Sequence, residues 1–164
     1  MKNELEQKVQ ISMHIGYPSS DFPGPPAVVL PLPEGWEGVH LPDTAIAVRQ
    51  RGAERFAPNV VVRIHKHVGH TSEQLFNLLT ESTRRSELSR TEMFDHSPAG
   101  LHRTLPGQAD GLEIEQQQLL IIPDSIVSVV RYVVSIVGSS AVGDTEMRTL
   151  ISEVLRGSRV TPAS

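Results

Sequence analysis

The stretch FAPNVVVRIHKHVGHTSEQLFNLL, residues 56–79, decides the fold that we expect for this chain. Residues 59–66 are rich in Val and Ile, and β-branched residues favour a strand. Gly69 interrupts this pattern, and Thr71 with Gln74 three positions later matches a capping box at the start of a helix. Apolar residues then recur at helical spacing: Leu75, Phe76, Leu78 and Leu79. The stretch therefore predicts a strand, a short turn and a helix.

Upstream of this stretch the sequence predicts three more strands. Residues 9–15 alternate between apolar and polar side chains, which is typical of a half-buried strand. Residues 27–32 are apolar and extended, but Pro31 restricts them to the edge of a sheet. Residues 44–50 predict a short strand that follows Trp36, the only tryptophan of the chain.

Downstream, residues 112–122 and 126–137 predict two apolar strands joined by a loop at residues 123–125. The second strand is apolar on both faces, which is typical of a central strand that is covered on both sides. Residues 106–111 and 138–143 contain Gly, Pro and Ser, and they predict loops.

A last helix is predicted to begin after Asp144 as N-cap and to end at Gly157. Its apolar face recurs at helical spacing: Met147, Leu150, Ile151, Val154 and Leu155. We expect the tail beyond this helix to be loose. Strands in a meander with two separated helices predict an α+β fold, a three-layer α/β/α sandwich around a largely antiparallel sheet. We expect a single domain over residues 1–164 with an ordered core over about residues 9–157.

The composition excludes several classes of protein. The formal net charge is −4 and no long basic run occurs, which argues against binding to nucleic acid. The chain has no cysteine, so it forms no disulfide, thiolate metal site, iron–sulfur cluster or lipid-bearing N-terminal cysteine. The polar start predicts no signal peptide, and the apolar residues 126–137 are too few to span a bilayer. We therefore expect a cytoplasmic protein.

The densest cluster of chemically active side chains lies in the opening stretch. Arg63, His65 and His67 alternate along the predicted strand, so their side chains leave the same face, and His70 follows in the turn. Imidazoles in this arrangement would be the ligands of a metal, with Glu73 in range. The alternative is that they are solvated polar positions, which we favour because no known zinc spacing is matched. A pH-responsive contact is a third interpretation.

Other candidate sites have simpler explanations. Glu113 and Glu115 share a strand face and would suit acid–base chemistry, but alternation with apolar residues is also typical of the wet face of a sheet. Trp36 would line a ligand cleft or anchor a partner, or it would plug the core, which we favour. The sequence has no G-x-S-x-G elbow and no glycine-rich phosphate loop. We therefore predict no catalytic residue and no cofactor.

The order of several short motifs resembles a known family. A Leu-Pro-x-Gly-Trp turn at residues 32–36, a strand at residues 45–48 and Phe-x-Pro-Asn-Val-Val-Val at residues 56–62 precede a helix, an apolar hairpin and a last helix. Over about residues 10–156 this order resembles the Mog1p/PsbP-like family, and within it the actinobacterial LpqN-type proteins. The resemblance implies the sandwich fold and a binding or accessory role, because the members look like modules without a shared active site. Unlike the lipoprotein members, this chain is expected to have neither signal peptide nor lipidated cysteine.

Three functional hypotheses follow. The first is a non-enzymatic module that binds another protein, with a set of candidate partner-binding residues: Trp36, Arg63, His65, His67 and His70. The second is a carrier of a lipid or other apolar small molecule in a cleft between sheet and helix. The third is a metal-dependent hydrolase that uses the three clustered histidines. A homodimer is also expected if one face of the strand at residues 126–137 is uncovered, because long exposed apolar patches are rare on monomers.

Overall fold

The structure is a computed structural model that describes residues 13–84, 90–94, 100–125, 127 and 129–162. The described residues form nine strands and two helices. In chain order these are β1 Ala27–Val29, β2 Trp36–Gly38, β3 Ile46–Gln50, β4 Asn59–Val68, α1 Ser72–Arg84, β5 Arg90–Phe94, β6 Gly100–Ala109, β7 Leu112–Ile121, β8 Val130–Ala141, α2 Thr145–Gly157 and β9 Arg159–Thr161. Neither of the two helices is long and apolar enough to cross a membrane.

Seven of the strands form one antiparallel sheet in the order β2-β3-β4-β8-β7-β6-β5. β8 is the central strand, with β4 on one side and β7 on the other. β1 and β9 pair with each other in a separate two-stranded sheet. The prediction of an α+β fold with a largely antiparallel sheet is confirmed.

The two helices lie on opposite faces of the large sheet. Val134 and Ile136 of β8 face α2 and belong to a buried cluster with Ile151. Val133, whose side chain leaves the other face, packs with Leu75 of α1 in a second cluster. The predicted three-layer sandwich is therefore confirmed, and β8 is covered on both sides.

Both helix starts follow the predicted capping chemistry. The backbone N–H of Thr71 donates to Oε1 of Gln74 at 2.9 Å, and the N–H of Gln74 donates to Oγ1 of Thr71 at 3.1 Å. At α2, Oδ1 of Asp144 accepts from the N–H of Met147 at 3.1 Å. Each cap satisfies backbone donors that have no partner inside the first turn of the helix.

The prediction for the central strand was wrong at both ends. β8 runs over Val130–Ala141 and not over residues 126–137, so it passes through residues that were expected to form a loop. Gly138 lies within this strand. A larger residue would not fit there, because a Cβ would lie 2.2 Å from Cγ2 of Ile151. The small residues at this point make room for α2 rather than forming a turn. Residues 126 and 128 lie outside the described part of the chain.

The loop expected at residues 106–111 is also mostly strand. β6 continues through Pro106 to Ala109, and the turn consists of Asp110 and Gly111, both with positive φ (51° and 75°). Such a two-residue turn matches the twist of a β-hairpin. Pro106 is tolerated because the pairing with β5 begins at Thr104, so no described strand needs a donor from the proline.

The structure near both ends of the described chain also differs from the predictions. β1 pairs with β9 and does not form an edge of the large sheet, so the tail expected to be loose is ordered to Thr161. Gly157 does end α2, but without a left-handed φ, and a Cβ there would lie 3.0 Å from Cγ of Pro31. Residues 13–15 form no strand, and the rest of the strand expected at residues 9–15 lies outside the described residues.

The close approach of α2 to β8 gives a stability test. We expect Gly138→Ala to lower the free energy of unfolding by about 1–3 kcal/mol, because the added methyl group overlaps Ile151 in a packed core. Urea unfolding followed by circular dichroism measures the loss.

Gly38→Ala is the matched control. Gly38 is also a strand glycine on the α2 face of the sheet, but no heavy atom lies within 4 Å of its Cβ position. We expect this variant to keep or slightly raise the wild-type stability, since alanine restricts the unfolded chain. Equal losses in both variants would contradict the packing argument.

Candidate functional site

Along the outer half of β4, no described strand lies on one of its two edges. β3 pairs with β4 only up to Val62, where the N–H of Ala45 donates to the Val62 carbonyl oxygen at 2.8 Å. Residues 63–68 pair with β8 on the other side, and no described strand lies beside them where β3 would continue. We call this open side of residues 63–68 the β4 edge.

The pairing pattern shows which backbone groups point outward. The N–H of Gly69 donates to the Val129 carbonyl oxygen at 2.9 Å, which extends the ladder with β8 beyond the strand. Because the hydrogen-bonded pairs of an antiparallel ladder alternate, the peptide groups of three residues point away from β8: Ile64, Lys66 and Val68. The hydrogen bond from Gln50 N–H to the Pro58 carbonyl oxygen at 2.9 Å fits the same alternation on the β3 side. The β4 edge therefore offers peptide donors and acceptors to a further strand.

An open groove of about 760 Å³ lies along the β4 edge. Its walls come from distant parts of the chain: Tyr17, Pro25, Asp43, Thr44, Ala45, Ile64, His65, Lys66 and Tyr132. Tyr132 is buried, and its hydroxyl donates to the Pro23 carbonyl oxygen at 2.9 Å, which holds the proline-rich segment against the sheet. The groove consequently has a largely apolar floor next to exposed backbone.

The face of β4 that points toward α1 carries arginine and histidine side chains. The side chains of Arg63, His65 and His67 share one face of the strand, as the sequence predicted, and the structure shows that this is the α1 face; we call these three the basic row. Arg131 of β8 lies directly across from His67. His70 follows in the turn, with its ring centroid 6.3 Å from that of His67 and the two rings edge to face. The acidic group nearest in the chain is the exposed Glu73, in the first turn of α1.

Burial lowers the pKa of His67 below its ordinary value of 6.5, and the neighbouring imidazoles of His70 and His65 lower it further. Both causes disfavour the protonated ring: partial burial removes water, and like charges repel. Folding therefore favours the neutral form of His67.

The three clustered histidines are spread along β4 and the following turn. Among the residues that the structure describes, no group of three or more His, Asp and Glu side chains could hold a metal ion. The three imidazoles follow the strand and the turn as a row instead of converging on one point, whereas a zinc site needs its ligands about 2 Å from a common centre. The interpretation as polar surface positions fits this arrangement.

Two other candidates lie away from the β4 edge. Trp36 is 4% exposed and belongs to the core cluster on the α2 face, so it is on the opposite face from the basic row. Glu115 also faces α2, and its Oε1 lies 2.8 Å from Nε of Arg148. That ion pair ties the helix to the sheet and leaves no pair of free carboxylates with the exposed Glu113.

Sequence reasoning found the basic row but missed the groove and the open edge. The row follows from the period of two along a strand. The groove joins Tyr17, residues 43–45 and Tyr132, which are far apart in sequence and share no motif. The open edge had no clear signal, because the strands predicted at residues 44–50 and 59–66 differ in length by one residue.

The lowered pKa of His67 predicts how stability depends on pH. The unfolded chain protonates this ring near pH 6.5, while the folded protein resists protonation, so stability is lost as the pH falls from 6.5 toward the lower folded pKa. We expect His67→Gln to lose less of its unfolding free energy than the wild type between about pH 7.5 and 5.5.

Urea unfolding at the two pH values measures this difference. His40→Gln, which changes an exposed histidine outside the cluster, is the control, and it should follow the wild-type curve. A wild-type pH dependence in His67→Gln would show that the ring does not titrate as described.

Comparisons with known proteins concern the fold. No family model and no curated protein matches the chain. The crystal structure of LpqN, involved in cell envelope biogenesis of Mycobacterium tuberculosis, is similar with a TM-score of 0.65 and 14% identity, over 85% of this chain and 86% of that one. A crystal structure from Bacteroides thetaiotaomicron VPI-5482 is similar with a TM-score of 0.53 and 8% identity, over 80% of this chain and 44% of that one. At such identities the likeness is one of architecture, so the chain has an LpqN-like α+β fold.

Proposed function

We propose that this chain is a non-enzymatic accessory module that binds a partner protein at the β4 edge. The observation that carries the proposal is the open side of residues 63–68, where peptide groups that no described strand engages border both a groove and the basic row. Proteins commonly blunt or cover such edges because they attract other chains. A module that keeps one beside a groove is suited to binding.

The surrounding chemistry favours binding over catalysis. The histidines form a row along β4, and Glu115 is paired with Arg148, so neither set supplies a matched acid and base next to the groove. The hydrolase hypothesis has no support from these positions. Absence of enzymatic activity is part of the proposal.

The LpqN-like architecture supports the assignment to the class of accessory modules. Membership in the Mog1p/PsbP-like family, which the motif order resembles, belongs to the same proposal. LpqN is described as involved in cell envelope biogenesis. A role in that kind of process is the context that we assign to this chain. The cytoplasmic location remains a prediction from the sequence, and fractionation of native cells checks it.

The alternative of an apolar carrier receives less support. It requires a hollow cleft beside Trp36 or beside the helix that carries Leu75. The two side chains are 4% and 3% exposed, and each belongs to a packed cluster of buried residues. Filled clusters leave these two positions without space for an acyl chain, so protein binding is the better interpretation.

A charge reversal on the basic row tests the proposed function. Tagged wild-type protein and Arg63→Glu are used to capture proteins from an extract of native cells, and quantitative mass spectrometry compares what each recovers. We expect the partner to bind Arg63→Glu about tenfold less tightly, because reversing one interface charge replaces an attraction by a repulsion.

Arg55→Glu is the matched control. Arg55 is exposed and precedes the other end of β4, so this variant carries the same change of charge away from the β4 edge. A protein lost with Arg63→Glu and kept with Arg55→Glu is then purified, and its affinity for both variants is measured. If the two variants capture the same proteins equally well, the β4 edge is not the binding surface.

A further inference from the structure

We infer that the β4 edge binds its partner by strand addition, and that the added segment alternates acidic residues with apolar residues. This inference rests on the proposed function and names the chemistry of its partner. It comes from three features that lie together at residues 63–68. Peptide groups point outward from the strand, a largely apolar groove lies on the α2 face of the sheet, and the basic row lies on the α1 face.

The backbone provides the register of the added strand. The peptide groups of three residues point away from β8: Ile64, Lys66 and Val68. They lie beyond the last pair between β3 and β4, which joins Ile46 to Val62. An extended segment of about six residues would fit along residues 63–68, in line with β3. Its main chain would satisfy donors and acceptors that no described strand engages.

The groove specifies one set of side chains. An added strand sends alternate side chains to the α2 face, where they would meet Ile64 and Tyr132 across the groove floor. Asp43 and Lys66 also line the groove, and because their charges are opposite, the apolar part of the lining decides what enters. The residues that enter the groove are therefore apolar.

The basic row specifies the other set. The remaining side chains of the added strand would lie on the α1 face beside Arg63, His65 and His67, with Arg131 one strand further in. Carboxylates complement the permanent positive charges on this face, which are Arg63 and Arg131. The row is local, since the chain as a whole has a net charge of −4. Alternation of acidic and apolar residues follows from the period of two in a strand.

The same geometry argues against a second copy of this chain as the occupant. If two β4 edges paired with each other, each would place its basic row beside that of its partner on a shared face. Arg63 is the permanent charge of each row, and like charges on neighbouring strands destabilise the pair. A separate protein with an acidic segment avoids that repulsion.

A capped peptide of alternating Glu and Val, about six residues long, is the probe. Its binding to the full chain is measured by fluorescence anisotropy. We expect the same peptide with Lys in place of Glu to bind at least about tenfold more weakly. We expect a peptide with methylated backbone nitrogens on the side that faces β4 to lose as much, since it cannot complete the ladder.

Variants of the protein separate backbone from side-chain recognition. Lys66→Pro removes an outward N–H, and proline is tolerated at a sheet edge. Lys66→Ala is the matched control, because it removes the same side chain and keeps the N–H. We expect Lys66→Pro to weaken binding of the Glu-Val peptide about tenfold relative to Lys66→Ala. Thermal unfolding of both variants verifies that they are folded.

Several outcomes would overturn the inference. Equal binding of the peptide to both Lys66 variants would mean that the main chain is not recognised. Binding only after deletion of residues 1–12 would make that segment of the chain the occupant of the edge. A wild-type dimer that Lys66→Pro converts to a monomer would make it a second copy. If no peptide binds while capture of a partner still depends on Arg63, the proposed function stands and strand addition is wrong.

Discussion

The contact of Ile151 with the backbone at Gly138 sets the position of α2 against the central strand of the sheet. A side chain at residue 138 would occupy the space of the isoleucine, so the helix can lie this close only over a glycine. Ile151 is fully buried there, and the rest of the apolar face of α2 follows it into the same cluster. Because α2 covers one face of the sheet and α1 covers the other, the side chains of β8 are buried on both faces. β4 and β7 pair with β8 on its two edges.

The candidate site results from a mismatch of strand lengths within that frame. β4 is ten residues long and pairs fully with β8, while β3 is five residues long, and no described strand pairs with residues 63–68 of β4 on the β3 side. An open edge invites self-association, and charged side chains are a common defence against it. In the proposed complex, Arg63 would oppose pairing between two copies of the chain and would favour an acidic partner, so protection and recognition would have one physical origin.

Local sequence patterns predicted much of the fold. The strand, turn and capped helix of residues 59–84 and the amphipathic helix α2 were predicted correctly because each depends on contacts within a few residues. The incorrect loop predictions concern glycine and proline residues whose roles depend on segments far away in the sequence. Gly138 indicates a loop from the sequence alone, whereas in the structure Ile151 lies against it. Pro106 indicates a turn from the sequence alone, whereas it lies in β6 at a position that no described residue of β5 pairs with.

The sequence by itself determined the class of fold, the two helices, and the common face of Arg63, His65 and His67, because these follow from the periods of helices and strands. Only the tertiary structure decided that the histidines form a row beside an open edge, that Trp36 is a core residue, and that Tyr17 and Tyr132 meet in one groove. Those features depend on the order and the relative lengths of paired strands. Such pairing is set by packing between distant segments, which no local pattern of residues contains.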